Sequence, residues 1–162
     1  MRKLPAALLA AGILAALVGL GFARAQSSLE RPGVFMTRIL REELNGQWAK
    51  QWSELHPGHQ RLITRAQYVA CSRSLATNIG TGQETFHVLD VRDEAIHIAG
   101  IPQRMSKLVT ISFHTPGNST TPTYRLHAVR VRDRWTWILG GRFLTAVRHG
   151  QCLDGSPLSA TH

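Results

Sequence analysis

From Val34 to Leu44 the apolar residues Met36, Ile39, Leu40 and Leu44 recur at helical spacing, and Arg38, Arg41 and Glu42 fill the other side. That pattern predicts a surface helix with one face turned to a core. Asn45-Gly46 then reads as a stop and restart, since glycine readily takes the left-handed conformation that ends helices. Trp48, Trp52 and Leu55 stand at i, i+4 and i+7, so a second helix carries all three on one face and the two tryptophans anchor a core. Pro57 ends that helix by pushing His56 out of helical geometry. A short helical turn follows near Gly58 to Leu62. Thr64-Arg65-Ala66-Gln67 matches a capping box, which opens a further helix from Arg65 to about Arg73 with Tyr68 and Cys71 in it.

After a loop over residues 75–82 the period changes to two. Phe86, Val88 and Asp90 alternate with His87, Leu89 and Val91. The alternation on both sides of Arg92-Asp93 predicts a hairpin turn there, with a return strand from Ala95 to Ala99. A third strand runs from Lys107 to Thr115, with Val109, Ile111 and Phe113 on one face. A fourth spans Thr123 to Val131. It divides into Arg125, His127, Val129 and Val131 on one side and Tyr124, Leu126 and Ala128 on the other. A last strand from Trp135 to Leu139 brings Trp135 and Trp137 to one face, and Arg142 to Arg148 reads as either one more strand or a helical turn. Helices followed by about five antiparallel strands predict an α+β layer fold, with the N-terminal helices packed on a curved antiparallel sheet.

The N-terminus changes where that domain is expected to live. Arg2 and Lys3 precede an apolar run from Ala6 to Phe22, and Ala23-Arg24-Ala25 is a small-x-small cleavage site. Residues 1–25 therefore read as a signal peptide. The apolar run is about long enough to span a bilayer, so an uncleaved anchor over residues 5–22 is the alternative. Residues 26–33 are a polar linker, 34–152 a single domain and 153–162 a polar, flexible tail. Loss of Arg2, Lys3 and Arg24 lowers the formal net charge from +9 to +6. In an exported chain that balance suits anionic envelope polymers or lipid head groups better than nucleic acid. Cys71 and Cys152 are the only cysteines, and an even pair in an oxidising compartment reads as one disulfide.

The phrase W-x3-W-x2-LHP from Trp48 to Pro57, followed by a capped helix ending in Tyr68-Val69-Ala70-Cys71, resembles small secreted actinobacterial domains of the nuclear-transport-factor-like superfamily. The resemblance covers about residues 34–140 and includes the order of helices before strands. It implies a cystatin-like α+β cone, shared with ketosteroid isomerase and polyketide cyclases, enclosing a conical pocket. In the isomerase-like relatives a pocket aspartate removes a proton beside a carbonyl while a hydroxyl donor steadies the oxyanion. On this chain the strand carboxylate is Asp90 and the nearest later histidine His127, which makes them the catalytic candidates.

His87, His97, His114 and His127 each fall on a predicted strand, and with Arg125 they are the binding candidates. No H-x-H, H-E-x-x-H or C-x-x-C spacing occurs, so neither a metal nor another cofactor is expected. Ser112 and His114 share a face, but no nucleophile elbow accompanies them. Arg125, Arg130, Arg132, Arg134, Arg142 and Arg148, interleaved with Trp135 and Trp137, would make either an anion-binding surface or a solvated sheet face. The sequence is thus that of an extracytoplasmic binding domain. Its ligand is a small apolar molecule in the cone, or a protein or cell-envelope partner on the sheet. An isomerase- or cyclase-type enzyme is the alternative.

Overall fold

A computed structural model of the chain describes residues 30–75, 83–117 and 119–158. The expected signal peptide, half of the expected linker (26–29), residues 76–82 of the loop, Asn118 and the end of the expected tail (159–162) lie outside the described residues. Four helices come first: α1 (Pro32–Leu44), α2 (Trp48–Ser53), α3 (Pro57–Gln60) and α4 (Arg65–Leu75). Four strands follow, β1 (Thr85–Ala95), β2 (Met105–His114), β3 (Thr123–Val131) and β4 (Arg134–Trp137), and then α5 (Gly141–Arg148). The strands form one antiparallel sheet in the order β1-β2-β3-β4, with helices packed against it.

The punctuation of the helices follows the sequence. Pro32 opens α1, where its missing N–H costs nothing, and Gly46 takes φ +67° just after the helix ends. The capping box forms in both directions: Gln67 N–H donates to Thr64 Oγ1 at 3.2 Å, and Thr64 N–H donates to Gln67 Oε1 at 3.0 Å. α2 stops at Ser53, so Leu55 leaves the helix; it pairs as an isolated bridge with Trp137 and stays fully buried. The segment 142–148 is helical, which places α5 after the sheet and makes α4 the penultimate helix.

The sheet corrects one expectation. Arg92-Asp93 is not a hairpin turn, and no strand runs from Ala95 to Ala99. Instead β1 continues through both residues, and the chain reverses over residues 96–104, so the described sheet has four strands rather than five. The charges explain the difference. Arg92 bridges Asp90 and Glu94 along the strand at 3.0 and 3.2 Å, and Asp93 reaches across to Lys107 at 2.8 Å. An Arg-Asp pair can turn, as Arg132-Asp133 does between β3 and β4 with Arg132 at φ +56°, but at 92–93 these ion pairs and the ladder to β2 hold the strand extended, and the reversal uses Gly100 at φ +81° instead.

The main core lies between the helices and one sheet face. Met36, Ile39, Leu55, Ile63, Val109 and Ile111 there are at most 2 % exposed. Tyr68 stands edge-on to Trp137 with ring centres 6.1 Å apart, and both rings are buried. Trp48, Trp52 and Trp135 close the margin of this core, only partly buried. On the other face the segment 96–104 folds down and closes a smaller cluster of Ile96, Ile101, Val129 and Ile138.

Two buried histidines join that segment to α3. His56 Nδ1 accepts the Gly58 N–H at 2.9 Å, so its Nε2 carries the proton and donates to Gln103 Oε1 at 3.0 Å. His59 Nδ1 accepts the Leu139 N–H at 3.0 Å, with the Ala99 backbone on its other side. Burial pushes His59 down to about 4, and the neighbouring His56 adds to the shift. His56 is lowered too, by burial first and by Arg61. A folded value below the unfolded one means that the unfolded chain binds more protons. Stability is therefore complete above pH 6.5 and falls as the pH drops toward 4. Thermal unfolding measured across this window should show that decline. His59→Asn, which keeps an acceptor for Leu139 but does not titrate, should flatten it; an equally steep profile in the variant would remove His59 as its source.

Candidate functional site

Antiparallel registers decide which side chains share a surface. β1 faces β2 through His87↔Ser112, Asp90↔Thr110, Arg92↔Leu108 and Glu94↔Ser106. β2 faces β3 through Leu108↔His127 and Thr110↔Arg125. These residues, with His114, point away from the helices. Asp90, His87, His114, Arg125 and His127 are thus on one outer sheet face, and no conical pocket gathers them. His97 is in the reversal after β1, exposed, with its Nδ1 3.4 Å from Arg104.

Charge on this outer face is organised around Glu94. Its carboxylate meets Arg92 at 3.2 Å and, more loosely, Arg125 at 3.5 Å, while Arg92 also holds Asp90 at 3.0 Å. The whole group is solvated: Asp90, Arg92 and Arg125 have side chains 45 %, 53 % and 59 % exposed. Such pairs add little stability and are free to exchange partners.

Beside them the Ser106 hydroxyl sits 3.2 Å from the Glu94 carbonyl and 2.8 Å from His127 Nδ1. Its single hydrogen goes to the carbonyl, and it accepts from the His127 Nδ1–H. The serine is thus a buried strut that orients the imidazole, with its proton already committed. Partial burial lowers the His127 pKa, which the Glu94 carboxylate opposes and Arg125 reinforces.

One apolar side chain flanks these charges. Leu89 is the extra residue of a β-bulge between Val88 and Asp90, and it is 59 % exposed. Val88, Val91, Met105 and Tyr124, each more than 40 % exposed, belong to the opposite, helix-side face of the same strands, beyond the margin of the core. The run Asp90-x-Arg92-x-Glu94 was legible as a period-two charge pattern, but a turn placed at Arg92-Asp93 conceals it.

The arginine series does not form one surface. Arg125 is on the outer face, whereas Arg130 is opposite Trp135 on the helix side. Arg132 is in the β3–β4 turn and Arg134 opens β4, and Arg142 and Arg148 belong to α5. Trp135 and Trp137 are inward-facing, their Nε1 groups donating to Glu30 O at 2.7 Å and Gln51 O at 3.0 Å. They offer no stacking platform to those arginines.

A second polar group, not anticipated from the sequence, is enclosed between the helices. Tyr68 OH donates to Gln51 Oε1 and Gln51 Nε2 donates to Ile39 O at 3.3 Å, and the nearby Glu43 carboxyl is pushed up by burial and held back by Gln51. The adjacent Glu42 is 3 % exposed and held by Arg38 at 3.1 Å and Lys50 at 2.8 Å. The amide fixes the phenol rather than relaying a proton, and core side chains fill the space around it.

Cys71 and Cys152 form the expected disulfide. Among the described residues no three His, Cys, Asp or Glu side chains assemble as a metal-binding group, and no helix is long and apolar enough to cross a membrane. Comparison of the chain with protein-family models, curated proteins and solved structures found no match.

Proposed function

We propose that this chain is an extracytoplasmic, non-catalytic binding domain that holds a protein or cell-envelope partner on the outer face of its sheet. The observation that carries this reading is the loose, solvated Asp90–Arg92–Glu94–Arg125 charge array on a face that the helices leave uncovered, with the exposed Leu89 of the β-bulge at its margin. Apolar contact with exchangeable charges around it is how transient partners are held. The packed core speaks against the small apolar ligand, because Tyr68, Trp137, Val109 and Ile111 occupy the space where a cone would receive it.

The nuclear-transport-factor-like, cystatin-like cone fold is part of the same proposal. Helices before an antiparallel meander support it. A cleaved signal peptide over residues 1–25, or an anchor over 5–22, would deliver the domain, and the Cys71–Cys152 bond fits the oxidising compartment that export implies.

The test is site-specific photo-crosslinking in a secreting host. A photoreactive residue at Thr110, central on the outer face, should yield a discrete adduct with an envelope component, and one at Ala66 on exposed α4 should not. Native mass spectrometry of the purified protein provides the opposing outcome. A retained small molecule with no adduct from Thr110 would replace the sheet-face reading with a ligand in the cone.

The isomerase- or cyclase-type reading rests on one observation, the partly buried Glu43, its carboxyl pushed up by burial, near the hydrogen-bonded Gln51 and Tyr68. It would require a substrate carbonyl beside Glu43, which the same mass measurement would reveal as a retained compound lost in Glu43→Gln.

A further inference from the structure

β1 has one edge hydrogen-bonded to β2 over most of its length, and no described residue pairs with the other. A free edge is a template for another strand, and proteins usually cover it or charge it to prevent pairing. Here it carries Leu89, Val88 and Val91 at 59 %, 44 % and 41 % exposure. We propose that a second copy of this chain docks there, β1 against β1, antiparallel about a two-fold axis through Val91, to give one continuous eight-stranded sheet.

The register follows from pleat and charge. Opposed residues must lie on the same face, so the axis passes through a residue rather than between two. Centred on Asp90, each Asp90 would meet its own copy. An axis through Arg92 opposes the two Arg92 and sets Asp90 against Glu94; one through Asp93 opposes the two Asp93. Centred on Val91, Asp90 of each copy stands across from Arg92 of the other, Leu89 stands across from Asp93, and no like charges meet.

The side chains are already arrayed along the outer face in the required order, with Arg92 between Asp90 and Glu94. The new pairs would therefore extend an existing network and order few free side chains. The bulge at Leu89 interrupts the ladder, so regular pairing is confined to residues 89–93. Such an interface is small, and the dimer is weak and concentration-dependent.

This inference concerns the edge of β1 and not the outer face, so a monomeric protein would overturn it and leave the partner reading intact. Analytical ultracentrifugation of the protein purified from a secreting host provides the test. The average mass should rise toward twice the monomer with concentration. Asp90→Arg or Arg92→Asp alone, which each place like charges across the axis twice, should weaken dimerisation by about tenfold. Asp90→Arg with Arg92→Asp should restore it to within about threefold. Leu89→Asp, which sets a like charge across from Asp93 twice and leaves the Asp90–Arg92 pairs untouched, should also abolish it. A monomer at every concentration, unaffected dimers in the single variants, or no recovery in the double variant would each overturn the proposal. An extended peptide from another protein on this edge would give the first of these outcomes.

Discussion

Gly58→Ala should destabilise the domain by about 4 kcal/mol, the cost of overpacking plus the hydrogen bonds lost with it. The unfolding midpoint should fall by about 15 °C. A methyl group on Gly58 would sit 1.8 Å from the Gly100 carbonyl oxygen, 2.8 Å from its carbon and 3.0 Å from His56 Nδ1. The first two are backbone atoms and have no rotamer by which to withdraw. Either α3 or the 96–104 segment must move, and the Gln103–His56 and His59–Leu139 hydrogen bonds join those elements to their surroundings. The same movement would open the cluster of Ile96, Ile101, Val129 and Ile138. Gly140→Ala is the matched control. That residue has φ −66° and open space where the methyl would go, so its midpoint should hardly move. Thermal unfolding of both variants decides the matter; a Gly58→Ala protein as stable as its control would mean that the α3 contact is not tight.

Removing the disulfide should cost about as much. Cys71 on α4 and Cys152 beyond α5 are 81 residues apart, and closing so long a loop stabilises a fold by about 4 kcal/mol in the chain-entropy picture. Both cysteines are buried, at 0 % and 5 % exposure. Cys152 also starts a hydrogen-bonded hook: its N–H donates to Ser156 O at 2.7 Å, and Leu158 N–H donates to Gly150 O at 2.7 Å. Reduction, or Cys71→Ser with Cys152→Ser, should lower the midpoint by about 15 °C and release the hook first, since no other covalent link ties it to α4. An unchanged midpoint would show that packing alone holds these elements.

What was legible depended on how local each signal is. The stop at Asn45-Gly46 and the reciprocal Thr64–Gln67 cap are set by residues within four positions of one another, and each is seen where the sequence placed it, whereas Pro57 opens α3 rather than ending α2, which already stops at Ser53. Period two likewise placed Leu126 and Ala128 on the core side of β3 and Arg125 and His127 on the other. The turn at Arg92-Asp93 misled because the local pattern allowed it. Only the partners on neighbouring positions, Glu94 and Lys107, make those two residues strand-like. The candidate site was half legible for the same reason. His87, His114, Arg125 and His127 could be named, but Glu94, which links the arginines, could not be seen as their centre without the register of β1 on β2.

By itself, the sequence determined the class of fold, the caps, the alternation of the strands and the pairing of its two cysteines. Each follows from chain period, backbone conformation or simple count. Tertiary structure decided the rest: the full length of β1, the near contact of Gly58 with Gly100, the neutral state of His59 and the burial of Gln51 with Tyr68. Those depend on which distant atoms displace water from a group. Desolvation and close approach are properties of the packed chain that no local pattern encodes.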